Sequence, residues 1–302
     1  MGYAAISELI TTNHLAVFEL LEQATDVIVA SPHVTHVYVR GSLVHGTADR
    51  LSDLDFVAGV TDEQFCDFCD VLDVLMETEF NAILPGWRDS IVFPMGGIGY
   101  VYLIESGGKL QQLDFYVLPA SRAADIPIRT GARLVFSREL PAAASVAPEL
   151  EASVERRIAD GRTRKPSLVE RVVEVLVLAL MIRKRIRRGQ FFLAYGETHM
   201  VRTAVKELVK TALAPYSIYR GWYRLEEELG VTPLGQACVR DLRALVAAPP
   251  PEREADLDAM LDRCLRIANI AAPAATEELA LGIDAYRAYL EMGAGATMEA
   301  IP

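Results

Sequence analysis

The residues best suited to chemistry lie in the segment VYVRGSLVHGTADRLSDLDFVAGV, where Gly41-Ser42 is followed, after ten intervening residues, by Asp53, Leu54 and Asp55. A glycine lets the backbone approach a phosphate closely, and the serine offers a hydroxyl and a main-chain N–H to the same oxygens. Residues i and i+2 of a strand share a face, so Asp53 and Asp55 point together while Leu54 enters the core. Two close carboxylates repel unless cations lie between them, and their hard oxygens suit Mg²⁺. Such a site can hold two metals, one on an attacking oxygen and one on a triphosphate. A third carboxylate is expected from a neighbouring strand. Asp114, in QQLDFYVL, is an acid inside an otherwise apolar run, where an unpaired charge is costly, and Glu105 is its competitor.

The second half of the chain offers counter-charges and further acids. Helical spacing over residues 191–213 sets Val201, Val205, Leu208 and Ala212 on an apolar stripe, opposite His199, Arg202, Lys206 and Lys210. Arg202 and Lys206 are therefore candidates to reach a triphosphate; the alternative is a solvated helix face. The run Arg183-Lys184-Arg185-Ile186-Arg187-Arg188 also suits the negative end of a helix dipole. Glu174 stands in VVEVLVLALMI, apolar nearly all round. A buried carboxylate there would have a raised pKa and could act as a base, unless it only pairs with Arg171. Glu197 is a second candidate. His45, Cys66 with Cys69, and Gly96-Gly97-Ile98-Gly99 read as a loop histidine, two small core residues and a broken dinucleotide fingerprint.

Periodicity and punctuation outline the elements that must hold these residues. The first ~30 residues have helical spacing, with Leu9, Val17, Leu20, Leu21 and Val27 apolar, and Ser31-Pro32 stops the pattern. Residues 34–42 and 52–60 read as strands, followed by a helix over 61–77 with Thr61 as its N-cap. A Gly- and Pro-rich segment covers 80–98. Strands at 99–106 and 109–118 then flank a Gly107-Gly108 hairpin turn, and a short apolar run follows at 133–136. From about residue 145 the composition becomes rich in Ala, Leu, Arg and Glu. Helices are predicted near 147–160, 167–188, 191–213, 216–229, 233–247, 252–271 and 274–292. The predicted fold class is α+β: a mixed-sheet domain over 1–144, then an all-helical bundle over 145–302 that completes the cleft.

Composition narrows the partners. The 302 residues carry a formal net charge of −11, which argues against a dedicated nucleic-acid binder. Residues 1–150 hold 8 Lys/Arg against 20 Asp/Glu, and residues 151–302 hold 22 against 21. The longest apolar stretch, 172–182, is interrupted by Glu174 and is far short of the ~20 residues that cross a bilayer. No signal-peptide pattern is present at the start, so the cytoplasm is expected.

GSLVHGTADRLSDLDF resembles the signature of the DNA polymerase beta-like nucleotidyltransferase superfamily over about residues 34–118: an apolar strand, Gly-Ser, a spacer, Asp-x-Asp and a later acidic strand. The spacer Gly46-Thr47-Ala48-Asp49 and the following bundle look like the bacterial antibiotic nucleotidyltransferases that modify aminoglycosides or lincosamides. The resemblance implies a nucleoside triphosphate bound through Gly41 and Ser42, with Arg202 and Lys206 from the second domain. It implies Mg²⁺ on Asp53 and Asp55 with Asp114 as third acid, and transfer of a nucleoside monophosphate with loss of pyrophosphate; the leading reading takes that nucleotide to be AMP. The acceptor expected from it is a hydroxyl of a small polar molecule. Asp114, Glu174 and Glu197 all stay open as the general base. Related enzymes often dimerise, so a homodimer is within expectation. Two other readings remain: a nucleotidyltransferase acting on tRNA or protein, and a catalytically silent nucleotide-binding regulator, against which the presence of all three acids argues.

Overall fold

Strands buried along most of their length build the first of two compact units, Met1–Arg164 with Ala288–Pro302. The computed structural model describes residues 17–89, 95–106, 109–138 and 147–295. Its first elements are α1 (Val17–Ala30), β1 (Val34–Val39), a one-turn helix α2 (Ser42–His45) and β2 (Leu54–Val60). They are followed by a 3₁₀ turn (Asp62–Gln64), α3 (Phe65–Phe80), β3 (Trp87–Arg88), β4 (Ile98–Ser106) and β5 (Lys109–Pro119). Two short helices, α4 (Ala120–Ala123) and α5 (Ile126–Thr130), precede β6 (Arg133–Ser137) and α6 (Pro148–Thr163). The sheet order is β3-β4-β5-β2-β1-β6. The β2–β5 pair is parallel and the other pairs are antiparallel, so the sheet is mixed.

The two faces of the sheet differ. Leu54, Phe56, Ala58 and Val60 of β2, with Leu113, Phe115 and Val117 of β5, point into the larger core, which α1, α3 and α6 cover with residues such as Leu21, Met76 and Ile158. The opposite face carries a smaller cluster: Tyr38, Val57, Tyr116 and Leu118 under Ala123 and Ile126 of α4 and α5. Asp55 and Asp114 belong to this second face, since each is displaced by one residue from the larger-core set.

The second unit, Lys165–Arg287, is helical. It contains α7 (Leu168–Arg187), α8 (Phe191–Leu213), α9 (Leu225–Leu229), α10 (Pro233–Ala247), α11 (Glu254–Ala271) and α12 (Pro273–Glu278). The last helix, α13 (Ala280–Gly295), begins in this unit, and its residues from Ala288 count with the first. Ser167 opens α7 with a reciprocal capping box: its Oγ accepts from the Glu170 N–H at 3.1 Å, and its own N–H donates to Glu170 Oε2 at 2.7 Å. Every residue from Val172 to Lys184 is buried, which explains a run apolar on nearly all sides.

Several expectations are corrected. The two compact units divide at 164/165, and Val154 and Ile158 of α6 pack into the sheet core. Residues 216–224 form irregular backbone and a turn over 221–224 instead of the start of a helix over 216–229; Gly221 and Arg224 both take positive φ (60° and 53°), which interrupts helical hydrogen bonding. The helix expected over 274–292 breaks at Leu279. Thr61 makes no side-chain cap, and its Oγ1 is buried without a hydrogen-bond partner among the described residues. Leu9 and the Gly107-Gly108 turn lie outside the described residues, although Ser106 and Lys109 on either side of the turn are paired in register.

Candidate functional site

The acids are assembled by strand register. Asp55 of β2 is the direct partner of Asp114 of β5 in the parallel ladder. Neighbouring strands lie about 4.8 Å apart, so the two carboxylates rise side by side from one face. Asp53 precedes β2 by one residue and is half-buried. The loop ahead of it is folded on itself: Asp49 Oδ1 accepts from the Leu51 N–H at 2.9 Å and from Ser52 Oγ at 3.1 Å, and the Asp49 N–H donates to Ser52 Oγ at 2.9 Å. Asp49 and Ser52 thus set how the chain enters β2, a role the sequence reading missed although D-x-x-S is an ordinary turn-forming pattern. Glu105 drops out as the third acid. It pairs with Leu110 on β5, four positions and about 13 Å along the strand from Asp114, and it accepts a hydrogen bond from Tyr289.

Gly41 brings the end of β1 against this pair. Its φ of 71° and ψ of −148° are favourable only for glycine, and a Cβ there would stand 2.0 Å from Asp55 Oδ2. Ser42 begins α2, and its Oγ is buried without a hydrogen-bond partner among the described residues. Arg40, immediately before, donates its main-chain N–H to the Asp55 carbonyl at 3.1 Å, and its Nη2 lies 2.9 Å from Asp55 Oδ1. The Arg40 guanidinium also sits over the Tyr116 ring, 5.3 Å from its centroid. The Tyr116 hydroxyl donates to Asp89 Oδ2 at 3.3 Å, and burial together with that carboxylate raises its pKa. On β5, the buried Gln112 donates to Asp114 Oδ1 at 2.7 Å.

Asp55 thus has Asp114 as its register partner and Gly41 against its carboxylate, with Ser42 next to Gly41 and Asp53 two residues before Asp55 in the chain. The donors are hard carboxylate oxygens on one face, the type a divalent cation such as Mg²⁺ takes, so the residues fit the implied metal in kind. Among the described residues, no group of three or more His, Cys, Asp or Glu side chains converges on a common centre.

The candidates of the second unit have partners inside that unit. Arg202 donates from Nε to the Leu245 carbonyl (3.2 Å) and from Nη2 to the Ala248 carbonyl (2.6 Å). It thus satisfies the exposed carbonyl end of α10, a capping role that accounts for the residue without a nucleotide. Lys206 is buried, not on an exposed polar face as its spacing suggested. Its Nζ lies 2.8 Å from Glu207 and 5.5 Å from the Trp222 ring centroid. The basic run is also engaged: Arg183, 4% exposed, with Glu254 and Asp258, Arg187 with Glu254 at 2.8 Å, and Arg185 with Glu197 at 3.0 Å. Cys66 and Cys69 are free thiols on α3, and burial pushes the Cys69 thiol up to about 12. Gly97 and Gly99 serve close packing: a Cβ at the first would meet the Val117 carbonyl, and at the second the Tyr116 ring. An apolar cleft of about 500 Å³, lined by Trp222, Leu229, Leu242 and Val246 among others, lies within the second unit, and no motif announced it.

Glu174 forms the ion pair with Arg171, at 2.6 Å, yet its pKa is raised, because burial outweighs the Arg171 charge, with Glu207 adding to the rise. A carboxyl raised in the folded state lends stability below its ordinary value and loses it as pH climbs through the raised one. Glu174→Gln stays neutral throughout. It is expected to match the wild-type melting temperature near pH 4 and to exceed it at pH 7–8, as read by thermal scans. A melting difference independent of pH would refute this account. A fall in turnover without loss of stability would identify Glu174 as the base.

No protein-family model matches the chain, and no curated protein matches it. Among solved structures, it is similar to a nucleotidyltransferase-like protein from Exiguobacterium sibiricum 255-15, with 11% identity over 90% of this chain and 92% of that one and a TM-score of 0.23.

Proposed function

We propose that the protein is a metal-dependent nucleotidyltransferase that moves a nucleoside monophosphate, AMP foremost, from a nucleoside triphosphate to a hydroxyl of a small polar acceptor such as an antibiotic. The observation that carries this reading is the register pairing of Asp55 with Asp114 beside Gly41-Ser42. Gly41 and Ser42 bind phosphate oxygens: the glycine allows close approach, and the buried Ser42 hydroxyl has donor capacity that no group among the described residues uses. Asp53, Asp55 and Asp114 would hold Mg²⁺, which when bound neutralises phosphate charge and makes the acceptor hydroxyl more acidic. The acceptor oxygen bonds to the α-phosphorus, the bond from that phosphorus to pyrophosphate breaks, and the hydroxyl proton passes to a carboxylate. Asp114 is the base preferred here, since it shares a face with Asp55; Glu197 is bound to Arg185, and Glu174 has the test given above.

The acidic first half favours a cationic acceptor, drawn in by a field that salt screens over ~10 Å at ~0.1 M. Incubation with radiolabelled nucleoside triphosphates and a panel of aminoglycosides, lincosamides and bulk tRNA is expected to label a cationic small molecule and release pyrophosphate. The acceptor's KM is expected to rise with ionic strength. Labelling of tRNA alone would move the acceptor to nucleic acid, and no pyrophosphate release with any acceptor would sink the reading.

A further inference from the structure

We propose that Arg40 is the resident counter-ion of the Asp55 carboxylate and that a divalent cation binds by displacing it, so the site exchanges one cation for another. This inference rests on the metal-binding reading above and assigns Arg40 a role that the motif residues do not supply.

Four observations place Arg40. Its Nη2 is 2.9 Å from Asp55 Oδ1, and both side chains are largely covered, at 14% and 16% exposure. Its guanidinium rests over the Tyr116 ring, which Asp89 holds through the hydroxyl and for which the absent side chain of Gly99 leaves room. Its Nε is buried without a hydrogen-bond partner among the described residues, so the pairing with Asp55 leaves part of the guanidinium unsatisfied there. Finally, it immediately precedes Gly41-Ser42, so a guanidinium released from Asp55 remains beside the phosphate-binding turn and keeps the ring as its platform.

The physics of the exchange is direct. Asp55 and Asp114 stand in register, and like charges so placed repel. A guanidinium next to Asp55 relieves that repulsion before a metal binds. A guanidinium in contact with Asp55 and a divalent ion on the same carboxylate would repel each other at a few ångströms, where screening is weakest. One must therefore leave when the other arrives. A purely structural Arg40, which merely held Asp55 in position for the metal, would have the opposite consequence: its removal would weaken metal binding.

The sign of the effect is the test. Mn²⁺ alone, without nucleotide, is titrated into the full-length protein while free Mn²⁺ is followed by electron paramagnetic resonance. Arg40→Ala and the longer neutral Arg40→Gln are both expected to tighten Mn²⁺ binding, by about tenfold, the order of one charge-assisted contact. Arg50→Ala removes the same charge from an exposed position in the loop before Asp53, and is expected to change binding by less than about twofold. Asp55→Asn is expected to abolish it. Unchanged or weaker Mn²⁺ binding in both Arg40 variants, with Asp55→Asn still abolishing it, would overturn the exchange and leave the nucleotidyltransferase reading standing. An equal tightening by Arg50→Ala would overturn it too, as a general field effect. Mn²⁺ binding indifferent to Asp55→Asn would overturn the metal assignment itself.

Discussion

Asp53→Asn and Asp55→Asn are each expected to lower nucleotidyl transfer by more than about a hundredfold while the fold persists. Each substitution keeps the shape of the side chain and removes the charge that would balance a cation. Where positioned charge carries most of the rate, loss of one such group costs at least that factor. The fold should tolerate the change because neither carboxylate sits in the apolar core: Asp55 is 16% exposed on the face opposite the larger core, and an asparagine oxygen can still accept from Arg40. Asp62 provides the contrast. It is buried and accepts from the Ser121 N–H at 3.0 Å and the Ser121 hydroxyl at 2.7 Å, tying the end of β2 to α4. Asp62→Asn should therefore lower the melting temperature and leave the turnover of the folded fraction close to wild type. Pyrophosphate release and thermal melting, measured on the same three preparations, separate the two behaviours. Either Asp53→Asn or Asp55→Asn retaining more than about a hundredth of wild-type turnover would remove that residue from the metal site.

The placement of Asp55 was legible in the sequence because strand alternation is a local rule, while Asp53 precedes β2 by one residue. Gly-Ser, two short apolar runs and Asp-x-Asp require only that the runs be extended, and β1, β2 and β5 are. Asp114 was legible for a related reason: an acid within an apolar strand needs a use or a partner, and the parallel register with β2 supplies Asp55 as its neighbour. Arg40 was overlooked because its pairing depends on how β1 lies against β2, a non-local fact. The surroundings of Arg202 and Lys206 were hidden for the same reason. A helical wheel reports which residues share a face but not what arrives to cover it, and here α10 and Trp222 come from residues 222–248. Composition placed α6 with the helical half. Only packing shows that Val154 and Ile158 close the sheet core instead.

Gly41→Ala should remove activity as completely as the aspartate substitutions, and for a different physical reason. The added Cβ would lie 2.0 Å from Asp55 Oδ2 and 2.9 Å from its Cγ, so the carboxylate must swing away, out of contact with Arg40 and out of line with Asp114. The backbone at Gly41 also holds φ 71° and ψ −148°, a region nearly closed to other residues, at a cost of about 1–3 kcal/mol. At roughly 2–4 °C per kcal/mol for a protein of this size, the melting temperature should fall by several degrees. Gly46 separates strain from displacement. It too has positive φ (67°), but nothing lies within 4 Å of where its Cβ would be. Gly46→Ala should therefore lose stability, by about 1 kcal/mol or more, and keep most of its turnover. Gly41→Ala should lose both, with transfer down more than about a hundredfold because the Asp55 carboxylate is displaced and the phosphate can no longer approach the turn. If Gly41→Ala melts lower yet stays within about tenfold of wild-type turnover, the close approach of Gly41 to Asp55 serves packing alone, and the phosphate site must lie elsewhere.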